Sequence, residues 1–81
     1  NKPFPDPYIK AAEEIGVPIG ECLVVENAPL GIRAAKAAGA FCVAIASTLD
    51  ADLLSEADVV IARFEDLFDL PILQSVLKSL P

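Results

Sequence analysis

Three short apolar runs alternate with amphipathic segments along this 81-residue chain. The runs cover residues 22–26, 41–46 and 59–61, and the last is short enough for a strand at the edge of a sheet. Runs that are apolar almost throughout are typical of parallel strands covered on both faces. The segments around them predict helices at residues 7–15 and 29–38, a short helix at 50–56, one helical turn at 65–70 and a further helix from 71 onward. This alternation predicts an α/β fold with a parallel sheet and right-handed crossovers.

Proline and glycine mark the ends of the predicted helices. We expect Asp6 to cap the first helix, with Pro7 at the first helical position. Pro29 begins the second helix and Gly39 ends it. Gly31 lies in the first turn of that second helix, where a side chain would prevent close approach to the backbone.

The composition indicates a piece of a larger fold. Hydrophobic residues make up 54% of a chain that is long enough for one domain at most, and its mean hydropathy is positive. A small domain buries a modest core and needs much polar surface. We therefore expect other segments to cover some of these apolar faces; the alternative is a compact autonomous domain.

The charge balance argues against two classes of partner. The net charge is −6, with six basic and twelve acidic residues and no basic cluster, so nucleic-acid binding has no electrostatic footprint. No apolar stretch reaches the roughly 20 residues that a membrane span needs, and the polar, proline-rich start is unlike a signal peptide. We expect a cytoplasmic protein with neither nucleic-acid nor membrane partners.

The chain contains no histidine and two cysteines. The lack of histidine removes Ser-His-Asp and Cys-His catalysis and His-ligated zinc from these residues. Cys22 and Cys42 each lie within the first two residues of an apolar run, without CxxC spacing. We interpret them as buried thiols in a reducing compartment, the alternative being a disulfide or redox pair.

Glu26 and Asn27 are the strongest candidates for chemistry. In open α/β sheets, ligands bind outside the carboxyl ends of the strands, and these two residues end the first strand. Magnesium prefers carboxylates, carbonyls and water, and it usually takes one or two carboxylates from a protein. The alternative is that Glu26 caps the helix that begins at Pro29, where the helix dipole favours an anion. The residues alone leave both readings open.

Other polar residues fall near the same predicted edge. They are Lys2 before the first helix, Ser47 and Thr48 after the second strand, and Arg63 after the third. Lys2 could act as a point charge for a phosphate, although a terminal lysine is more often simply solvated. Arg33 and Lys36 are most simply a solvated helix face.

Two motifs in this chain resemble blocks of a known family. They are Lys2-Pro3-x-Pro5-Asp6-x-Tyr8 and, after an apolar strand, Glu26-x-x-Pro29-x-Gly31-x-x-Ala34-Ala35-Lys36-Ala37-Ala38-Gly39. Together they resemble the third and fourth conserved blocks of haloacid dehalogenase-like (HAD) hydrolases, in the β-phosphoglucomutase and phosphatase branch. The resemblance covers residues 2–46, and residues 57–67 are similar to the usual ending of the family.

The resemblance implies a fold and a set of roles. It implies that residues 1–81 form the C-terminal half of a Rossmann-like, three-layer HAD core, without the Asp-x-Asp nucleophile block, the Ser/Thr phosphate block and the cap. Lys2 matches the catalytic lysine that neutralises the nucleophile and the phosphoryl group. Glu26 and Asn27 match the magnesium-holding block, where this branch usually has Glu-Asp. Asp50-Ala51-Asp52 matches the nucleophile block only superficially, and we interpret it as the start of a helix.

The resemblance also implies a function. It indicates a magnesium-dependent phosphohydrolase or phosphomutase that acts on a small phosphorylated metabolite through an aspartyl-phosphate, completed by the N-terminal core segment and the cap. One alternative is a hydrolytic dehalogenase, which needs no metal and fits the acidic block at Glu26 less well. Another is a non-catalytic α/β module used for binding or assembly.

The 81-residue chain alone is therefore expected to show no phosphatase or mutase turnover. A lysine and a metal-binding carboxylate stabilise charge but do not attack phosphorus. Steady-state hydrolysis of an aryl phosphate in the presence of magnesium measures this. Turnover above the buffer rate that disappears in the Glu26→Ala variant would contradict the expectation.

Overall fold

The computed structural model of the protein describes residues 4–78. Within that range there are three α-helices, α1 (Asp6–Ile15), α2 (Pro29–Ala38) and α3 (Pro71–Lys78), and three strands, β1 (Leu23–Glu26), β2 (Phe41–Ile45) and β3 (Val59–Ile61). Short 3₁₀ helices occupy Ile19–Glu21, Ala51–Leu54 and Phe64–Asp69. No helix in this part of the chain combines the length and the apolar character that crossing a bilayer requires.

The strands form one parallel sheet in the order β1-β2-β3. The predicted α/β fold with a parallel sheet is confirmed, and β3 lies at an edge. The register places Glu26 opposite Ala44. β1 begins one residue later than predicted, because the N–H of Cys22 donates to the carbonyl of Ile19 at 3.0 Å and closes the preceding turn.

Alternate strand residues face opposite layers and build two cores, as the two-residue period of a strand requires. The core on the first face, under α1 and α2, consists of Ile32, Ala35, Cys42, Ala44 and Leu54. The core on the second face consists of Val43, Ile61 and Leu67, bordered by Leu70 and Leu73. The sheet therefore lies between two helical layers, and the predicted three-layer arrangement is confirmed.

α2 lies close to the sheet because its buried face is made mostly of small residues. Ile32 and Ala35 are fully buried, and Ala34 and Ala38 are nearly so. The helix begins at Pro29, as predicted. Gly39 ends it with φ at 97°, a left-handed conformation that costs glycine little.

The start of α1 differs from the prediction. Asp6 is already helical, and Pro5 occupies the capping position without a side-chain hydrogen bond. The carbonyl of Pro5 accepts the N–H groups of Tyr8 and Ile9, each at 3.1 Å, so the first turn closes on Pro5. The assignment of Asp6 as the cap is therefore wrong, although its carboxylate still lies at the positive end of the helix dipole.

The connections on either side of β3 are tighter than predicted. The helix expected over residues 50–56 is a 3₁₀ helix over Ala51–Leu54, anchored by the fully buried Leu54. The turn expected over residues 65–70 is a 3₁₀ helix over Phe64–Asp69.

Two basic residues on the outer face of α2 form ion pairs. The Nε of Arg33 lies 2.8 Å from Oε2 of Glu56, with both side chains more than half exposed. The Nζ of Lys36 donates to Oδ2 of Asp58 at 2.7 Å and to the carbonyl of Ala40 at 3.0 Å. The prediction that both side chains are exposed is correct, but it did not include their ion pairs.

Asp58 joins β2 to the start of β3. Its carboxylate accepts the backbone N–H of Cys42 at 2.8 Å, while its own N–H donates to the carbonyl of Cys42 at 2.9 Å. The hydrogen bond from the Lys36 ammonium, and then the one from the backbone N–H of Cys42, lower the pKa of the Asp58 carboxyl group. The ionised form of Asp58 is therefore the form that the folded state favours.

Asp58→Ala should destabilise the whole protein more than Glu56→Ala. Loss of a hydrogen bond to a charged acceptor costs about 1–3 kcal/mol, whereas an exposed ion pair contributes less than about 1 kcal/mol. Because the folded-state pKa of Asp58 is lowered, its contribution is present above the unfolded-state value of about 3.9 and is lost as the pH falls through the folded-state pKa. Denaturant melts between pH 7 and pH 3 measure both effects, and equal losses in the two variants would contradict this assignment.

Candidate active site

The carboxyl ends of the three strands share one edge of the sheet. Asn27 follows β1, Ser47 lies two residues beyond β2, and Arg63 lies two residues beyond β3. All three side chains are exposed. The predicted shared edge is confirmed for these positions, whereas Lys2 lies outside the described residues and its place at the edge stays a prediction.

Glu26 turns its side chain toward the helical layer rather than directly outward from the edge. It is the last residue of β1 and lies on the same face of the sheet as Val24. Its carboxylate lies between α1 and α2, where it contacts Tyr8 and Gly31. The residue is only partly buried, so the carboxylate lies at the margin between the core and solvent.

The Tyr8 hydroxyl donates a hydrogen bond to Oε2 of Glu26. Burial, and then the nearby Glu26 carboxylate, raise the pKa of Tyr8 well above its ordinary value. The phenol therefore remains a neutral donor throughout the physiological pH range. Sequence reasoning missed this contact, because it joins residues 18 positions apart and no local period connects them.

Gly31 leaves the room that the Glu26 carboxylate occupies. A β-carbon at this position would lie 2.7 Å from Oε2 and closer still to Oε1, within overlapping distance. The predicted close approach at Gly31 is confirmed, and the group that approaches is a side chain of β1.

Glu26 does not cap α2 through a hydrogen bond. Ala28 occupies the capping position of α2, and no side-chain hydrogen bond is made there. The carboxylate nevertheless lies against Gly31 in the first turn of α2, where the helix dipole favours a negative charge. Its hydrogen-bond donor is the phenol of another helix.

The chemistry of Glu26 and Asn27 fits part of a magnesium site. Among the residues that the structure describes, no group of three or more acidic, histidine or cysteine side chains forms a complete metal site. Magnesium usually keeps several waters and binds one or two protein carboxylates. Glu26 can supply one such carboxylate, and the exposed Asn27 beside it can supply a neutral oxygen.

Two other features of the sequence do not contribute to this site. Cys22 and Cys42 are free thiols; Cys42 is buried, whereas Cys22 is only partly buried, so the prediction of a buried thiol is wrong for Cys22. Burial, with the Glu26 and Asp58 carboxylates adding to it, raises the pKa of the Cys42 thiol to about 11. That value makes it unreactive at neutral pH. The segment 50–52 lies at the start of the 3₁₀ helix Ala51–Leu54, away from the end of a strand, as interpreted from the sequence.

Comparison with known proteins gives the chain a family. A scan against protein-family models gave no match. The chain is 47% identical over 60 residues to a validoxylamine A 7'-phosphate phosphatase of Streptomyces hygroscopicus, covering 74% of this chain and 28% of that protein. It is 41% identical over 75 residues to glycerol-1-phosphate phosphohydrolase 1 of Saccharomyces cerevisiae, covering 82% of this chain and 30% of that protein.

A solved structure agrees with these similarities. A Bacteroides vulgatus protein assigned as a β-phosphoglucomutase superposes with a TM-score of 0.79 at 40% identity, over 96% of this chain and 34% of that one. The parallel sheet between two helical layers is a Rossmann-like α/β core. A family IA HAD hydrolase of Entamoeba histolytica superposes with a TM-score of 0.69 at 35% identity, over 85% of this chain and 34% of that one. The chain belongs to the HAD-like hydrolases of family IA, in the β-phosphoglucomutase-like branch. It spans about a third of the length of the relatives it matches.

Gly31→Ala should reverse its effect on stability according to the residue at position 26. Alanine normally favours a helix interior over glycine by about 1 kcal/mol, but here its methyl group overlaps the Glu26 carboxylate. We expect Gly31→Ala to destabilise the whole protein and to stabilise the Glu26→Ala variant. A four-variant cycle of denaturant melts measures this coupling, and additive effects would show that the carboxylate does not occupy this space.

Proposed function

We propose that the whole protein is a magnesium-dependent phosphohydrolase or phosphomutase acting on a small phosphorylated metabolite. The observation that carries this proposal is a carboxylate held at the carboxyl end of β1, in a chain whose relatives include phosphatases. In a parallel α/β sheet this edge is where ligands bind. Phosphoryl transfer needs positive charge near the transferring group. An acidic residue at this edge can bind a cation, and the bound cation supplies that charge.

Glu26 and Asn27 would hold the magnesium ion in this protein. When bound, the ion supplies positive charge that stabilises the transferring phosphoryl group. Lys2 would add a second positive charge, as the family resemblance implies. The amide of Asn27 contributes a dipole where a carboxylate would contribute a full charge, so it would hold the ion less tightly than an aspartate.

The nucleophile is proposed to come from the rest of the whole protein. In the family that this chain belongs to, an aspartate attacks phosphorus and forms an aspartyl-phosphate. The division between that block and residues 1–81 stays a prediction from the sequence. The phosphatase relatives support phosphoryl transfer over dehalogenation, and over a purely binding module. The acidic charge and the two free thiols support a cytoplasmic location.

In the whole protein, Glu26→Ala should raise the magnesium concentration for half-maximal activity more than about tenfold, since even outer partners of metal ligands contribute that much. Asn27→Asp should lower that midpoint, because a full charge replaces an amide dipole. Titration of activity against magnesium, with melts in its absence, separates a metal effect from a folding effect.

The exposed carboxylate of Glu56 provides a matched control for this titration. It pairs with Arg33 on the outer face of α2 and contacts neither Tyr8 nor Gly31 in the described structure. Glu56→Ala should leave the magnesium midpoint unchanged. An unchanged midpoint in both Glu26→Ala and Asn27→Asp would remove the metal assignment.

A further inference from the structure

We propose that Tyr8 and Gly31 form a carboxylate socket that fixes the direction of the Glu26 side chain for cation binding. Both are positioning residues, since each would act on the cation through its contact with Glu26. This inference rests on the proposed function, in which Glu26 is a magnesium ligand. It assigns a role to two residues beyond the ligands themselves.

The socket brings together three separate elements. Tyr8 belongs to the first turn of α1, Gly31 to the first turn of α2, and Glu26 to the end of β1. The Glu26 carboxylate fills the space that the missing β-carbon of Gly31 leaves, and the Tyr8 hydroxyl donates to one of its two oxygens. A long, flexible side chain is thereby restricted to one direction before any ligand arrives.

A phenol suits this role better than a cation does. Tyr8 donates a hydrogen bond without a formal charge, so the carboxylate keeps its negative charge for a cation. Each carboxylate oxygen has two lone pairs, and one bond from the phenol leaves the others free. A lysine or arginine in place of Tyr8 would neutralise the carboxylate and weaken its attraction for a metal.

The ring and the hydroxyl group of Tyr8 make separate contacts. Tyr8 is only partly buried and packs at the margin of the core on the first face. A phenylalanine ring would fill that position equally well, so packing does not require the hydroxyl. The hydroxyl adds the hydrogen bond to Glu26, and we assign that bond to the orientation of the carboxylate.

Tyr8→Phe in the whole protein tests this assignment, because it removes the hydroxyl and keeps the ring. We expect about a tenfold weaker magnesium affinity, the loss seen when an outer partner of a metal ligand is removed. Calorimetric titration with magnesium chloride measures the affinity directly, without turnover. Ser55→Ala removes an exposed hydroxyl elsewhere and should leave the affinity unchanged.

The double variant Tyr8→Phe with Glu26→Ala makes the test specific. If Tyr8 acts through Glu26, the double variant should bind magnesium as weakly as Glu26→Ala alone. Carbon-detected spectra of labelled glutamate carboxylates should also show a shifted Glu26 signal in Tyr8→Phe before magnesium is added.

The outcomes distinguish this inference from the function on which it rests. An unchanged affinity in Tyr8→Phe, with a weakened affinity in Glu26→Ala, would overturn the socket and leave the metal site standing. An equal loss from Tyr8→Phe in the presence and absence of Glu26 would also overturn it. An unchanged affinity in Glu26→Ala would remove the metal assignment and the socket together.

Discussion

The close packing of α2 on the sheet is the contact from which the rest of the structure follows. Ile32 and Ala35 are fully buried against Cys42 and Ala44 of the central strand. Small side chains at this contact bring the helix backbone near the strands, and the same approach places Gly31 beside the end of β1. The first core and the candidate site therefore share one packing arrangement.

This approach also accounts for the placement of the charged groups. Lys36 lies near the end of α2, where it reaches the carbonyl of Ala40 and the carboxylate of Asp58. Asp58 in turn binds the backbone of the central strand at Cys42. At the other end of the helix, the Glu26 carboxylate occupies the space that Gly31 leaves. Helix α2 thus carries the Lys36–Asp58 ion pair at its C-terminal end and contacts Glu26, the candidate metal-binding residue, at its N-terminal end.

The function proposed for this edge depends on a compromise between burial and charge. An isolated buried carboxylate is costly, and a fully solvated one is poorly oriented. Glu26 is partly buried, accepts one hydrogen bond from a neutral phenol and lies beside a helix N-terminus. These contacts stabilise the charge without cancelling it, as a cation ligand requires.

The order of helices and strands, the ends of α2 and the need for space at Gly31 were all readable in the chain. They depend on local properties: apolar period, the fixed φ of Pro29 and the left-handed conformation of Gly39. The first cap was assigned wrongly to Asp6, because local preference favours an aspartate before a helical proline, whereas the first turn closes one residue earlier, on the carbonyl of Pro5. The bond from Tyr8 to Glu26 and the bond from Asp58 to Cys42 arise only on folding. Each hydrogen bond joins two residues that are far apart in sequence. Whether the two residues come within hydrogen-bonding distance depends on how closely the helices and strands pack.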